Sequence, residues 1–259
     1  MGKYDSSRYR VVPLVDAIKS NEEYFEKFIQ LAGLPPLSYP SNESAFWYGD
    51  QEKQLKPPKQ HLAALIDYLA IKEHKKIANY GTKRNALFGI ESSADREEAR
   101  IEARRLLEAT YENEPLPKAW YIFEGCTNPD IYIEGDDYII ICEGKWTESH
   151  ITTKTTHLHD DNEFRNQMIR HIQGALNFSN KKVYAFYIVD ADCGYTSDLT
   201  LEALKKQLAL ETIKPTNKEQ ILKAFYGYTT WQNLRRSIPI LRFYSKTQIK
   251  EMNKAIDDK

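Results

Sequence analysis

Apolar positions recur every three or four residues through the first third of the chain, then every second residue or without a break through its middle. Phe25, Phe28, Ile29 and Ala32 form one helical stripe. Ser20-Asn21-Glu22-Glu23 precedes it at capping-box spacing, and Gly33 with Pro35-Pro36 ends it. Residues 34–58 hold five prolines around Phe46-Trp47-Tyr48 and predict an ordered loop pinned by its aromatics. Leu62, Leu65, Ile66, Leu69 and Ile77 predict a second helix over 59–79, stopped by Gly81. A third helix is expected over 93–111, burying Ala99, Ala103, Leu106, Leu107 and Thr110, with Glu102 at the border of that face and Glu108 turned away.

Strands follow. Residues 120–126 read as one, and Ile131-Tyr132-Ile133 and 138–142 as two more, joined by the turn residues Glu134-Gly135-Asp136-Asp137. Phe164, Met168, Ile172, Ala175 and Leu176 predict a helix over 162–178, and the almost continuous apolar run over 183–190 predicts a strand buried on both faces. Helices are expected over 200–212, 218–226, 230–236 and 247–256. The central order is therefore helix, three strands, helix, strand, an α/β arrangement. Helical segments flank it, dividing the chain into 1–90, 91–195 and 196–259.

The hairpin carries the candidate chemistry. With Gly135-Asp136 as a two-residue loop, Glu134 faces Asp137 and Asp130 faces Ile141. Asp130, Ile141, Glu143 and Lys145 then project from one side, with Asp130 and Glu143 as diagonal neighbours roughly 7–8 Å apart. Two carboxylates with a backbone carbonyl suit a hard divalent cation that keeps part of its water shell. Lys145 adds a positive charge on the same face, placed to orient a water or offset charge on a phosphate.

Pro129-Asp130 followed by Glu143-Gly144-Lys145 resembles the motif of the PD-(D/E)XK nuclease superfamily. The resemblance spans residues 93–190 and implies a restriction endonuclease-like αβββαβ core with a central mixed sheet. It also implies that Asp130, Glu143 and the Gly144 carbonyl hold Mg2+, with Mn2+ as a substitute, and that Lys145 is catalytic. Resolvase-like members carry a Glu on the helix before the first strand, matched here by Glu102 with Leu106 and Leu107. Glu98 is the fallback. Many members place a Gln on the helix after the Glu-x-Lys strand, matched by Gln167. The implied activity is phosphodiester hydrolysis in nucleic acid, DNA before RNA, in restriction, repair or phage defence. Partners would be a second copy of the chain or another component of a defence system. Two alternatives stay open: a catalytically silent module of this fold that binds nucleic acid or a partner subunit, and a hydrolase of small phosphoesters.

Composition adjusts this picture in one respect. Lys and Arg number 36 against 37 Asp and Glu, so a polyanion would have to be held by a local basic rim. Lys83 and Arg84, in a basic turn before the core, and Arg165 and Arg170, on the helix after the hairpin, are the candidates. Arg165 falls among apolar positions, so it reaches either a carboxylate or a phosphate. Arg235-Arg236 and Trp231 would extend such a surface, although packing on the core explains Trp231 equally. His171 reads as a satisfied histidine at the core edge. His157 and His159 alternate in a polar loop, where no further His or Cys completes a tetrahedral set. Cys126, Cys142 and Cys193, odd in number and widely spaced, read as reduced core thiols. No apolar run approaches the roughly 18 residues of a membrane span, and the first residues lack the apolar centre of a signal peptide, so the cytoplasm is expected.

Overall fold

The computed structural model describes residues 7–71, 93–112, 124–145, 152–153, 165–211, 213–243 and 248. Two helices open it, α1 (Val12–Ser20) and α2 (Glu22–Leu31). Asn21 separates them: its side chain accepts from the amides of Glu23 and Tyr24 and caps α2, while the Ser20 hydroxyl donates back to Ala17 and closes α1. Further on come α3 (Lys59–Ile71) and α4 (Ser93–Thr110), which pack on each other through Leu62, Leu65, Ile66, Ala99, Ala103 and Leu107. Glu108 is exposed on α4, as its place on the wheel requires.

The central sheet has five strands. They are β1 (Phe46–Tyr48), β2 (Ile131–Glu134), β3 (Tyr138–Gly144), β6 (Lys182–Val189) and β7 (Phe225–Thr230), side by side in that order. β1, β2 and β3 pair antiparallel, whereas β3, β6 and β7 run parallel, so the sheet is mixed. A separate two-stranded ladder joins β4 (Thr152–Thr153) to β5 (Arg165–Asn166). Helix α5 (Gln167–Phe178) starts directly after β5, capped by the Asn166 side chain on the Ile169 amide. Its start is later than the expected 162. α6 (Leu201–Leu210), α7 (Lys218–Ala224) and α8 (Trp231–Ser237) complete the described chain, and no described helix is long and apolar enough to cross a membrane.

Helices cover both faces of the sheet. Ile131, Ile133, Ile140, Cys142, Phe186 and Ile188 pack against α1, α2 and α8. Tyr132, Ile139, Ile141, Ala185, Tyr187 and Val189 pack against α5, α6 and α7. Every residue of β3 is buried, as is β6 beyond its first residue, which explains their unbroken apolar runs. Both flanking segments contribute to these layers: α1, α2 and β1 come from 1–90, and β7 and α6 to α8 from 196–259, while α3 packs on α4.

Three elements depart from expectation. Phe46-Trp47-Tyr48 is not a loop but the edge strand beside β2, with Phe46 opposite Ile133 and Tyr48 opposite Ile131. A three-residue run has too little period to be recognised without its partner. The second departure is β7, expected as the end of one helix and the start of the next. Its pairing with β6 shifts register between Ala185 and Tyr187, and Gly227 there has φ +79°, so a bulge breaks the alternation. Third, residues 124–126 form no strand, and Thr127 instead makes an isolated antiparallel bridge with Leu55. Residues 113–123, and those of the expected 247–256 helix other than Gln248, lie outside the described residues.

Candidate metal and phosphoryl site

The hairpin closes one step later than Gly135-Asp136 would set it. Glu134 faces Ile139 and Ile131 faces Cys142, and the Gly135 amide donates to the Tyr138 carbonyl at 3.0 Å, leaving Asp136-Asp137 as the two central turn residues. The cause is steric. A Cβ on Gly135 would stand 2.2 Å from the Tyr138 ring, which is buried and fixed by its hydroxyl on the Ser38 carbonyl. Only glycine lets that ring fold over the turn. The register moves by two residues, so every side chain keeps its face, but Asp130 passes from Ile141 to the position opposite Glu143. The two acids are direct neighbours and not diagonal ones.

Asp130 Oδ2 accepts from the Gly144 amide at 2.8 Å, which ties the first acid to the strand end carrying the second. Glu143 is almost fully buried. Its Oε1 accepts from Lys145 Nζ at 2.8 Å and its Oε2 from His171 Nε2 at 3.0 Å. Lys145 Nζ also donates to Gln167 Oε1 at 3.0 Å. Gln167 opens α5 and His171 lies one turn later on the same side, so a single helix face holds both the ammonium and the carboxylate.

Burial raises the carboxyl pKa of both acids, but their partners separate them. Lys145 and the His171 hydrogen bond outweigh burial at Glu143 and hold it ionised, well below its ordinary range. Asp130 is pushed well above its ordinary value by burial and then by the Glu143 charge, with only partial relief from Lys145 and the Gly144 amide. His171 is fully buried, which lowers its pKa and keeps the ring neutral. With Glu143 ionised, its Nε2 carries the proton, and Nδ1 accepts from the Thr127 hydroxyl at 2.7 Å. Thr127 and His171 thus form a line of hydrogen bonds behind Glu143. The i, i+4 spacing of Gln167 and His171 was the signal in the sequence for this role.

Ionised together, Asp130 and Glu143 would place two negative charges against the one positive charge of Lys145. The elevated Asp130 shows that this second ionisation is opposed, and a hard divalent cation is one kind of group that would favour it. Among the described residues no group of three or more His, Cys, Asp and Glu is arranged to hold a metal, so the carboxylate pair would need the Gly144 carbonyl and waters to complete a shell.

The remaining candidates lie elsewhere. Glu102 pairs with Arg105 at 2.7 Å, half exposed on α4, and no contact joins it to Asp130 or Glu143. Arg165 and Arg170 turn inward onto Glu124. Arg165 bonds Glu124 at 2.5 Å, Glu211 at 2.6 Å and Gln173, and Arg170 reaches Glu124 at 2.9 Å and the Gly125 carbonyl at 2.8 Å. His61 adds a bond to Glu124 at 2.8 Å. Of the two partners open to Arg165, carboxylate or phosphate, the carboxylate is the one it meets. Lys83, Arg84, His157 and His159 lie outside the described residues. The cysteines are free, and Cys142 alone of the three is fully buried. No protein-family model matches this sequence, and no curated protein or solved structure matches it.

Proposed function

We propose that the chain is a magnesium-dependent nuclease of the PD-(D/E)XK type that hydrolyses phosphodiester bonds, with DNA as substrate. The carrying observation is the pairing of Asp130 with Glu143 across the hairpin, with Lys145 fixed between Glu143 and Gln167. The element order supports the same reading in a revised form. Taken as α2, β1, β2, β3, α5 and β6, the chain follows an αβββαβ core, with α3 and α4 inserted between β1 and β2. On that alignment the helix before the first strand is α2 and not α4, which accounts for the distant place of Glu102.

In this reading Asp130, Glu143 and the Gly144 carbonyl hold the ion. A bound magnesium ion supplies Lewis acidity toward a phosphate oxygen and lowers the pKa of water. Glu143 is kept anionic by Lys145 and His171 and is therefore ready to bind a cation without first losing a proton. Asp130 is the less buried of the two acids. Two acceptors fix the Lys145 ammonium, which orients the attacking water or steadies charge on the phosphate. Hydrolysis adds one water across the P–O bond and leaves a phosphate monoester and a hydroxyl end.

A second reading has its own support. Both oxygens of Glu143 already accept hydrogen bonds in the interior, the condition of a structural ion pair in a catalytically silent, nucleic-acid-binding module. Incubation with linear, nicked and circular DNA and with RNA, in Mg2+, Mn2+ or EDTA, separates the two. Metal-dependent cutting abolished by Asp130→Ala is the expected result. Retention of DNA without cutting in any metal would replace the first reading with the second.

A further inference from the structure

A second charged site opens beside the strand end that carries Lys145. Arg10, Trp231, Gln232, Arg235, Arg242 and Phe243 line a cleft of about 620 Å³. Its place follows from the topology: Asp190 directly follows β6, and Trp231 begins α8 directly after β7, so the cleft sits at the C-terminal ends of parallel strands. Ligands of open α/β sheets collect there, since helices on both faces leave those ends uncovered. Trp231 connects the cleft to the candidate site, because its indole Nε1 donates to the Lys145 carbonyl at 3.0 Å.

The cleft is prearranged. Arg10 is buried, its guanidinium 5.7 Å from the Trp231 ring and 5.5 Å from the Phe243 ring, and it bonds Asp190 at 2.7 Å. Gln232 donates to the same Asp190 oxygen at 3.0 Å and accepts from the Ala191 amide. Of the arginines among the described residues lining the cleft, Arg10 is offset by Asp190, which leaves an excess of two positive charges on Arg235 and Arg242. Both are exposed at the rim. In a chain whose net charge is −1, such an excess beside aromatic walls is local and directed.

We propose that this cleft binds the sugar–phosphate backbone of DNA at phosphates next to the one being cut. Guanidinia match phosphate oxygens in geometry and charge, and an open cleft at the strand ends admits a polymer. The proposal rests on the nuclease reading for its account of which phosphate is cut, but not for the binding itself. Arg165 and Arg170 are spent on Glu124, so the basic rim that the composition demands is supplied by Arg235 and Arg242 instead.

The test is fluorescence anisotropy with a labelled DNA duplex in EDTA, where binding proceeds without cutting, on wild type and on the double variant Arg235→Gln/Arg242→Gln. A charge-matched control, Lys205→Gln/Lys223→Gln, removes two exposed lysines from α6 and α7. The expected result is affinity about 10-fold weaker in the arginine variant alone, with the slope of log K against log salt shallower by up to about two. Equal affinity and slope in wild type and arginine variant, equal losses in both variants, no binding by wild type, or retention of RNA but not DNA would each overturn it. Failure of the nuclease reading looks different: DNA held through Arg235 and Arg242 but cut in no metal leaves the cleft standing.

Discussion

His171 Nε2 lies 3.0 Å from Glu143 Oε2, and the ring behind it is fixed by the Thr127 hydroxyl, so the one deeply buried carboxylate of the site has its orientation set by α5. A partner of this kind acts through the residue it holds. His171→Ala is expected to weaken Mn2+ or Mg2+ affinity by about 10- to 100-fold. Metal titration followed by calorimetry reads it directly, and His171→Asn, which retains an N–H donor, should recover part of the loss. Unchanged metal affinity in His171→Ala would remove the histidine from the site.

Asp130→Asn separates function from stability. The amide keeps an oxygen for the Gly144 amide and removes the repulsion from Glu143 that lifts the Asp130 carboxyl, so the variant should unfold at the wild-type temperature or above it. Cleavage should nonetheless be lost. A clear fall in melting temperature would show that the Asp130 charge stabilises the fold and that the crowding of the two acids has been misjudged.

Glu124 makes a prediction about acid. It is almost fully buried, yet Arg165, His61 and Arg170 overcome the cost of burial and hold its carboxyl well below the ordinary range. A depressed folded pKa contributes stability above the unfolded value of about 4.3, and that contribution drains away as pH falls toward the folded one. Glu124→Gln should therefore cost about 3–5 kcal/mol at pH 7, since buried Arg170 loses its carboxylate and buried Arg165 is left with Glu211 alone. Urea titrations of both proteins at pH 7 and in steps below pH 4 check this, and a difference constant with pH would refute it.

Gly135→Ala tests the hairpin register. Its Cβ would meet the buried Tyr138 ring at 2.2 Å, and overpacking of this kind costs about 1–3 kcal/mol. Adding Tyr138→Leu should return most of the loss arising from the clash, giving a coupling visible in a double-mutant cycle. Independent, additive effects would mean that the ring does not cover the turn.

Much of this molecule was legible in its residues. The buried strand β6, the hairpin, the stripe of α2 and the shared face of Asp130, Glu143 and Lys145 all follow from periods of two and 3.6, which local sterics impose on any chain. Even the hairpin error was harmless to the faces, since a slip of two preserves parity. Strands β1 and β7 were not legible, one being too short and the other bulged at Gly227. Their identity depends on partners distant in sequence.

By itself the sequence determined which side chains share a face and which residue types stand ready for metal and phosphate chemistry, because both are properties of a few consecutive bonds. Only the tertiary structure decided where each charge is spent. It set Asp130 directly against Glu143, turned Arg165 and Arg170 onto Glu124, gave His171 its carboxylate, and left Arg235 and Arg242 at the open end of the sheet. A charge has no period along a chain; its partner is chosen by packing, which brings together residues that the sequence keeps far apart.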